Sequence, residues 1–266
     1  MNVILFTRTD RPSGARVAAQ ILKSNHSLIA IIAEKRTSML TKKKNVYSVI
    51  IDSFHKYGSL FVLQKIVEYI KIKLHRYIRI LCLCNKTAPY YSIQELIYDK
   101  KIPFYIVKDH NSDKTADIIK KYMPDIIVLS NTRIIKNNII ELPRYGCINL
   151  HLGKLPKYRG TDSCFWEIFN GENKGGITVH AIDASLDTGD IIIEQYIDIK
   201  HNDNELSLYK RKLQIGPQLV VKALDCIEHK SCTFIKQNPE KAHTYKWPTI
   251  HERNLLKKQQ KEKRPG

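Results

Sequence analysis

Asn149 and His151 sit two residues apart at the end of an apolar run, Cys147-Ile148-Asn149-Leu150-His151. On a strand that spacing puts both side chains on one face, roughly 6.6–7 Å apart along the chain. A loop containing Lys154, Leu155, Pro156, Lys157, Tyr158, Arg159 and Gly160 follows, and an acidic loop from Asp183 through Asp187 to Asp190 lies further on. An Asn, a His and an Asp on neighbouring loops suit acyl transfer. The amide donates to a developing oxyanion, while the imidazole acts as acid or orienter and the carboxylate tunes it. The same residues also suit plainer roles: a strand-end cap, a satisfied imidazole and a hairpin turn. Spacing alone leaves both readings open.

Other chemistries are disfavoured. The chain has no G-x-G-x-x-G after its first strand, no G-x-x-x-x-G-K-[ST], no G-x-S-x-G and no H-E-x-x-H. These gaps argue against a nicotinamide dehydrogenase, a Walker-type NTPase, an α/β serine hydrolase and a zincin. The ten His residues show no pair at metal-ligand spacing beside a third ligand, so no metal is expected.

The elements that must position these residues read as an open α/β sheet. Short apolar runs at 3–6, 28–33, 104–107, 126–129 and 147–150 alternate with helical spacing at 15–22 and 116–122. Apolar strands separated by helices predict a mostly parallel sheet covered on both faces, with ligands at the strands' carboxyl ends. Paired strands are expected at 176–182 and 190–196, then a helix over 205–226 in which Pro217 starts a new segment or a kink. From 37 to 89 the rhythm breaks. Leu63, Ile66, Val67, Ile70, Leu74, Ile78 and Leu81 fall at helical spacing among Lys and Arg, which predicts a basic amphipathic helix over 61–81, either packed on the sheet edge with its basic face solvated or in contact with a membrane surface or nucleic acid. The tail from 253 to 264 is Lys- and Gln-rich and is expected to be disordered.

Composition sets outer limits. With 266 residues, 43% hydrophobic and 26% charged, the chain is globular rather than disordered. Its net charge of +18 points to an anionic partner, although an AT-rich genome also inflates Lys, Ile and Asn. The six cysteines form no CxxC pair and are read as reduced thiols in a cytoplasmic protein. The apolar N-terminus is too short for a signal peptide, and no apolar run reaches the roughly 18 residues of a membrane span.

Several separate stretches resemble, in order, the folate-dependent formyltransferase family, which includes methionyl-tRNA, glycinamide-ribonucleotide and nucleotide-sugar enzymes. They are Asn149-Leu150-His151, then Leu155-Pro156-Lys157-Tyr158-Arg159-Gly160, Gly171-Glu172, Gly176-Ile177-Thr178-Val179-His180, and Leu186-Asp187-Thr188-Gly189-Asp190-Ile191. The close match runs from 124 to about 196. The resemblance implies a Rossmann-like core over 1–200 with an insertion at about 37–89, followed by a C-terminal helix and extension over 201–266. It implies transfer of a formyl group from N10-formyltetrahydrofolate to a primary amine, with no metal. Asn149, His151 and Asp187 stand at the family's catalytic positions. Arg133, Ile135, Ile140 and Asp183 stand where the family contacts folate.

The departures also carry implications. Gly153-Lys154 replaces the family's usual residues after the His, which makes Lys154 a candidate contact for the cofactor tail or an anionic substrate. Lys157 and Arg159 are candidates for a diphosphate, with Arg159 as readily a brace of its own loop. The loop from Arg8 to Gly14 lacks the phosphate grip of the glycinamide-ribonucleotide enzymes. About 66 residues follow the core, fewer than the roughly 100 that the tRNA enzymes add as a domain. The expected acceptor is therefore a nucleotide-linked amino sugar destined for surface polysaccharide, with a homodimer left open. A tRNA formyltransferase using the basic helix and tail, and a silent binding protein, are the alternatives.

Overall fold

The computed structural model describes residues 1–9, 12–35 and 93–262, together with the single helical positions Phe54, Ser59, Val62, Leu63, Ile66, Val67, Ile70 and Leu74. The chain divides into two units, one formed by 1–36 with 85–245 and the other by 37–84 with 246–266.

The first unit is built on strands β1 (Asn2–Arg8), β2 (Ser27–Glu34), β3 (Phe104–Val107), β4 (Ile126–Leu129) and β5 (Cys147–His151), all parallel where they pair. A short strand, β6 (Arg159–Gly160), leaves the sheet, and β7 (Lys174–Ala181) and β8 (Ile191–Asp198) return to it antiparallel. The order is β3-β2-β1-β4-β5-β7-β8. The mostly parallel α/β sheet read from the sequence is the observed one. The parallel order reverses between β1 and β4, the kind of switch point beside which open α/β sheets hold ligands.

Strand pleating sorts the core into two layers. Val3 and Leu5 of β1 face one side with Ile126, Val128 and Ile148, while Ile4 and Phe6 face the other with Ile127, Leu129 and Cys147. Helices α1 (Pro12–Ile21), α2 (Ile93–Lys100) and α6 (Glu205–Glu228) supply the first layer, through residues such as Val17, Ile93, Leu96 and Val220. The second is supplied by α3 (Asp113–Tyr122) and α4 (Asn137–Ile140), through Ile118, Ile119 and Ile139. Between β6 and β7 runs α5 (Ser163–Phe169).

Several expectations change. Beyond residue 200, α6 buries Leu219, Val220, Ala223 and Leu224 in the same layer as β1 and α1. Pro217 neither ends nor restarts α6, which runs through it. The helix buries Leu213, Gly216, Pro217, Leu219 and Val220, and this burial offsets the roughly 3 kcal/mol cost of an interior proline. Cys226 and Cys232 are paired as a disulfide rather than free thiols: the turn after α6 brings their Cα atoms to 5.0 Å, within bridging reach. Cys147 and Cys164 are buried free thiols whose pKa values burial pushes up to about 12.

In the second unit the tail expected to be disordered is helical, α7 (Ile250–Glu262). Thr249 and Glu252 cap it reciprocally, Thr249 N–H donating to Glu252 Oε2 at 2.6 Å and Glu252 N–H to Thr249 Oγ1 at 3.3 Å. Lys, Gln and Glu are good helix formers once a cap starts the turn. Of the helix expected at 61–81, Leu63, Ile66, Val67, Ile70 and Leu74 are helical, and their side chains are exposed rather than packed. Its remaining residues, and most of 37–89, lie outside the described residues. Among the described residues no helix is long and apolar enough to cross a membrane.

Candidate active site

Asn149 and His151 project from the carboxyl end of β5, where the antiparallel partner β7 sets Asn149 opposite His180 and His151 opposite Thr178. Gly216 lets α6 approach behind them, since a Cβ there would meet Leu150 Cδ1 at 3.0 Å. The chain is thus held on both sides where it leaves the sheet.

Hydrogen bonds assign the imidazoles. His180 Nδ1 faces Ala181 O at 2.8 Å and so donates, leaving the Nε2 lone pair to accept from Asn149 Nδ2 at 3.2 Å. Burial lowers the His180 pKa to about 4, against the opposing pull of Asp187, and keeps the ring neutral near pH 7. His151 is buried, and its Nε2 donates to Tyr158 O at 2.7 Å. Its Nδ1 is therefore the nitrogen turned to the site, 3.7 Å from Asp187 Oδ2. The other carboxylate oxygen, Oδ1, lies 3.6 Å from His180 Nε2.

Asp187 adopts a left-handed backbone, φ 53°, and its Oδ2 accepts Gly160 N–H at 2.8 Å. Gly160 itself has φ 90°, and a Cβ there would lie 2.3 Å from Tyr245 O. Only glycine can lie between β9 (Thr244–Tyr245), which pairs with β6, and the aspartate it holds.

The loop between His151 and β6 is fixed from below. Ser163 Oγ and Lys212 Nζ both donate to Leu152 O, at 2.7 and 2.9 Å, and Thr178 Oγ1 donates to Gly153 O at 2.8 Å. Glu167 Oε1 accepts the N–H groups of Lys154 at 3.2 Å and Gly176 at 2.9 Å, and its Oε2 pairs with Lys212. Glu167 and Lys212 are both fully buried. Burial pushes the Glu167 carboxyl up, against the ammonium and backbone donors beside it.

Asn149, His151 and Asp187 are thus brought into one cluster. The other expected site residues lie apart from it in their contacts. Arg133 pairs with Glu34 at the end of β2, Nε to Oε1 at 2.7 Å. Ile135 is buried in the second core layer, and Ile140 packs against that layer. Asp183 Oδ1 accepts Ser185 N–H at 3.0 Å and Thr188 Oγ1–H at 2.5 Å, closing the acidic loop. Lys154 Nζ stands 5.4 Å over the Tyr196 ring, and Lys157 Nζ is 2.6 Å from Glu172 Oε1. Both lysines line a cleft of about 630 Å³ with Leu155, Lys241, His243 and Tyr245. Arg159 is outside that lining: its Nε and Nη2 donate to Gln237 Oε1 at 3.0 and 2.7 Å, as a loop brace does. Among the described residues no group of His, Cys, Asp and Glu could hold a metal ion.

Sequence reasoning left His180 and Glu167 without roles. For His180 the signal was present, since a His inside the apolar strand Ile177-Thr178-Val179-His180 falls on the same face as Thr178. The neutral burial of His180 has a measurable consequence. Between its ordinary 6.5 and about 4 the unfolded chain binds a proton that the native chain does not, so stability falls as pH falls. The loss should total about 3 kcal/mol by the bottom of that window. Urea midpoints from pH 7 to pH 4 measure it, and His180→Gln should flatten the slope. An unaltered slope in that variant would assign the titration elsewhere.

A family model described as formyl transferase matches residues 1–224. A methionyl-tRNA formyltransferase from Clostridioides difficile (strain 630) is 35% identical over 149 residues, covering 56% of this chain and 48% of that protein. The chain thus spans about half the length of such curated relatives. Two solved structures share the fold. An N-formyltransferase from Helicobacter canadensis, in complex with folinic acid and dTDP-3-aminofucose, has a TM-score of 0.58 at 19% identity, covering 91% of this chain and 70% of its own. Phosphoribosylglycinamide formyltransferase from Anaplasma phagocytophilum has a TM-score of 0.57 at 15% identity, covering 86% and 87%. The family match spans the whole sheet and the Asn149, His151 and Asp187 cluster, and the chain belongs to the formyl transferase family.

Proposed function

We propose that this chain is a cytoplasmic enzyme that transfers a formyl group from N10-formyltetrahydrofolate to the primary amine of a nucleotide-linked amino sugar. The observation that carries the reading is the convergence of Asn149, His151 and Asp187 at the end of β5, with every other ring nitrogen of the cluster already assigned.

When bound, the folate supplies the formyl group on N10. As the amine nitrogen bonds to the formyl carbon, negative charge grows on the formyl oxygen. Asn149 keeps one amide N–H beyond the one given to His180, and His151 in its charged form offers Nδ1–H; these two donors meet that charge. Asp187 Oδ2 stands 3.7 Å from that Nδ1, facing the same side of the site. The carbon–N10 bond then breaks, and the proton lost by the amine passes through an Asp187-held water to N10. Arg133, Ile135, Ile140 and the Asp183 loop are proposed to hold the folate. The fit rests on Ser130, whose buried Oγ at the end of β4 has no hydrogen-bond partner among the described residues and can serve a polar heterocycle.

Support for a small anionic acceptor comes from the cleft beside this loop. Lys154, Lys157, Lys241 and His243 line it, with Glu240 as the acidic member. Tyr245, stacked on Trp166 at 4.7 Å and Tyr158 at 5.3 Å, gives it an aromatic wall. A diphosphate and a base suit such a lining. The fold neighbour crystallised with dTDP-3-aminofucose favours the same class. The second reading, methionyl-tRNA as acceptor, is favoured by the curated relatives.

A formyl-transfer assay run with nucleotide-linked amino sugars beside charged initiator tRNA separates the two. Turnover with a sugar and none with tRNA is expected. Turnover with tRNA alone, falling steeply with salt as phosphate contacts require, would overturn the sugar assignment. No turnover with either, and no folate binding, would overturn the reaction class.

A further inference from the structure

We infer that Gln237 is a positioning residue for Asp187, an inference that rests on the reading of Asp187 as part of the formyl-transfer site. The segment after α6 returns to the sheet through a pair of backbone bonds, Ile191 N–H to Ile235 O at 2.8 Å and Ile235 N–H to Ile191 O at 2.9 Å. Two residues later, on the same side of this short ladder, Gln237 lies over the acidic loop. Its amide is used completely. Nε2 donates to Asp187 O at 2.9 Å and to Gly189 O at 2.7 Å, and Oε1 accepts both Arg159 contacts.

Those partners are the two chain segments that must stay in register for the site to exist. Arg159 adjoins Gly160, whose N–H holds the Asp187 carboxylate. Asp187 is in the left-handed region, which costs a non-glycine residue on the order of 1–3 kcal/mol and persists only where the surroundings enforce it. The enforcement comes from both ends of the residue: Gly160 N–H on the side chain and the Gln237 amide on the main-chain carbonyl. The neighbouring Thr188–Asp183 bond and the Ala181 N–H to Asp190 O bond at 2.9 Å hold the rest of the loop but not Asp187 itself. Released from Gln237, Asp187 relaxes toward negative φ and its carboxylate leaves His151.

Gln237→Glu is the discriminating substitution. It keeps the shape and the acceptor for Arg159, and even strengthens that pair, but sets an oxygen against the carbonyl oxygens of Asp187 and Gly189. A residue that only braces Arg159 tolerates it; a residue that positions Asp187 does not. The expected result is a kcat lowered by about 10- to 100-fold with KM for the folate nearly unchanged. Amide exchange at Gly160, followed by NMR on the same protein, should accelerate by at least about tenfold as its carboxylate partner is lost. Gln237→Ala, which removes the amide without adding charge, should do both, and it carries the test if the Glu variant does not fold. Wild-type kcat and an unchanged Gly160 exchange rate would overturn the inference. Exchange is read without substrate, so a wild-type protein that transfers no formyl group would count against the proposed reaction while leaving this coupling measured.

Discussion

Asn149→Ala and His151→Ala are each expected to leave a folded protein whose kcat is lower by about 10²–10³, the usual cost of removing one oxyanion donor. The two losses have different signatures. Truncating Asn149 also strips the partner from the buried Nε2 of His180, so its melting temperature should fall as well, by the equivalent of about 1–3 kcal/mol. Truncating His151 frees Tyr158 O and removes the ring that faces Asp187. Asp187→Asn should be impaired to a similar degree, because an amide cannot relay the amine's proton as the carboxylate does. Steady-state assays with the best acceptor, beside a thermal melt of each variant, separate chemistry from folding. Near-wild-type turnover in a folded Asn149→Ala or His151→Ala protein would remove these residues from the mechanism.

The largest effect on stability is expected from Glu167→Ala. Glu167 and Lys212 are both fully buried, and the carboxylate also takes the N–H groups of Lys154 and Gly176. Removing it leaves an uncompensated ammonium in the interior and two backbone donors without an acceptor, a loss of about 3–5 kcal/mol. The urea midpoint should drop with the slope unchanged, as for a pure loss of native stability. The paired substitution Glu167→Met with Lys212→Leu should lose less, because a buried ion pair gains little over well-packed apolar residues of similar size. Equal losses in the single and the paired variants would show that the backbone contacts, not the charges, set the cost. Lys212 Nζ also holds Leu152 O, next to His151, so any activity left in the folded single variant reports how far this pair keeps the imidazole in place.

The sheet was legible because its strands are short apolar runs with no competing reading. Residues 3–6, 28–33, 126–129 and 147–150 are buried apart from the half-buried Ile29 and Asn149, and such runs separated by helices admit few arrangements other than a parallel sheet. The face shared by Asn149 and His151 follows from the period of a strand, which tertiary structure cannot alter without moving the whole register. Helix ends were less legible. Thr249 and Glu252 cap a tail whose composition alone reads as disordered, since a reciprocal cap depends on two residues three apart and not on average hydrophobicity. The Cys226–Cys232 bridge likewise depends on a turn that the spacing of six residues does not announce.

What the sequence by itself determined is which residue types stand at the end of β5 and in the loop before β8, and that these positions belong to one sheet. Only the tertiary structure decided how the hydrogen-bonding atoms are allotted. It turned Nδ1 rather than Nε2 of His151 toward Asp187, paired Asn149 with a neutral His180, and set Arg159 to brace Gln237 outside the cleft lined by Lys154 and Lys157. The reason is that local pattern fixes the side to which a residue points. The partner that consumes each donor and acceptor comes from segments distant in the chain, Tyr245 beside Gly160, Gln237 beside Asp187 and Lys212 beside Leu152, which only packing brings together.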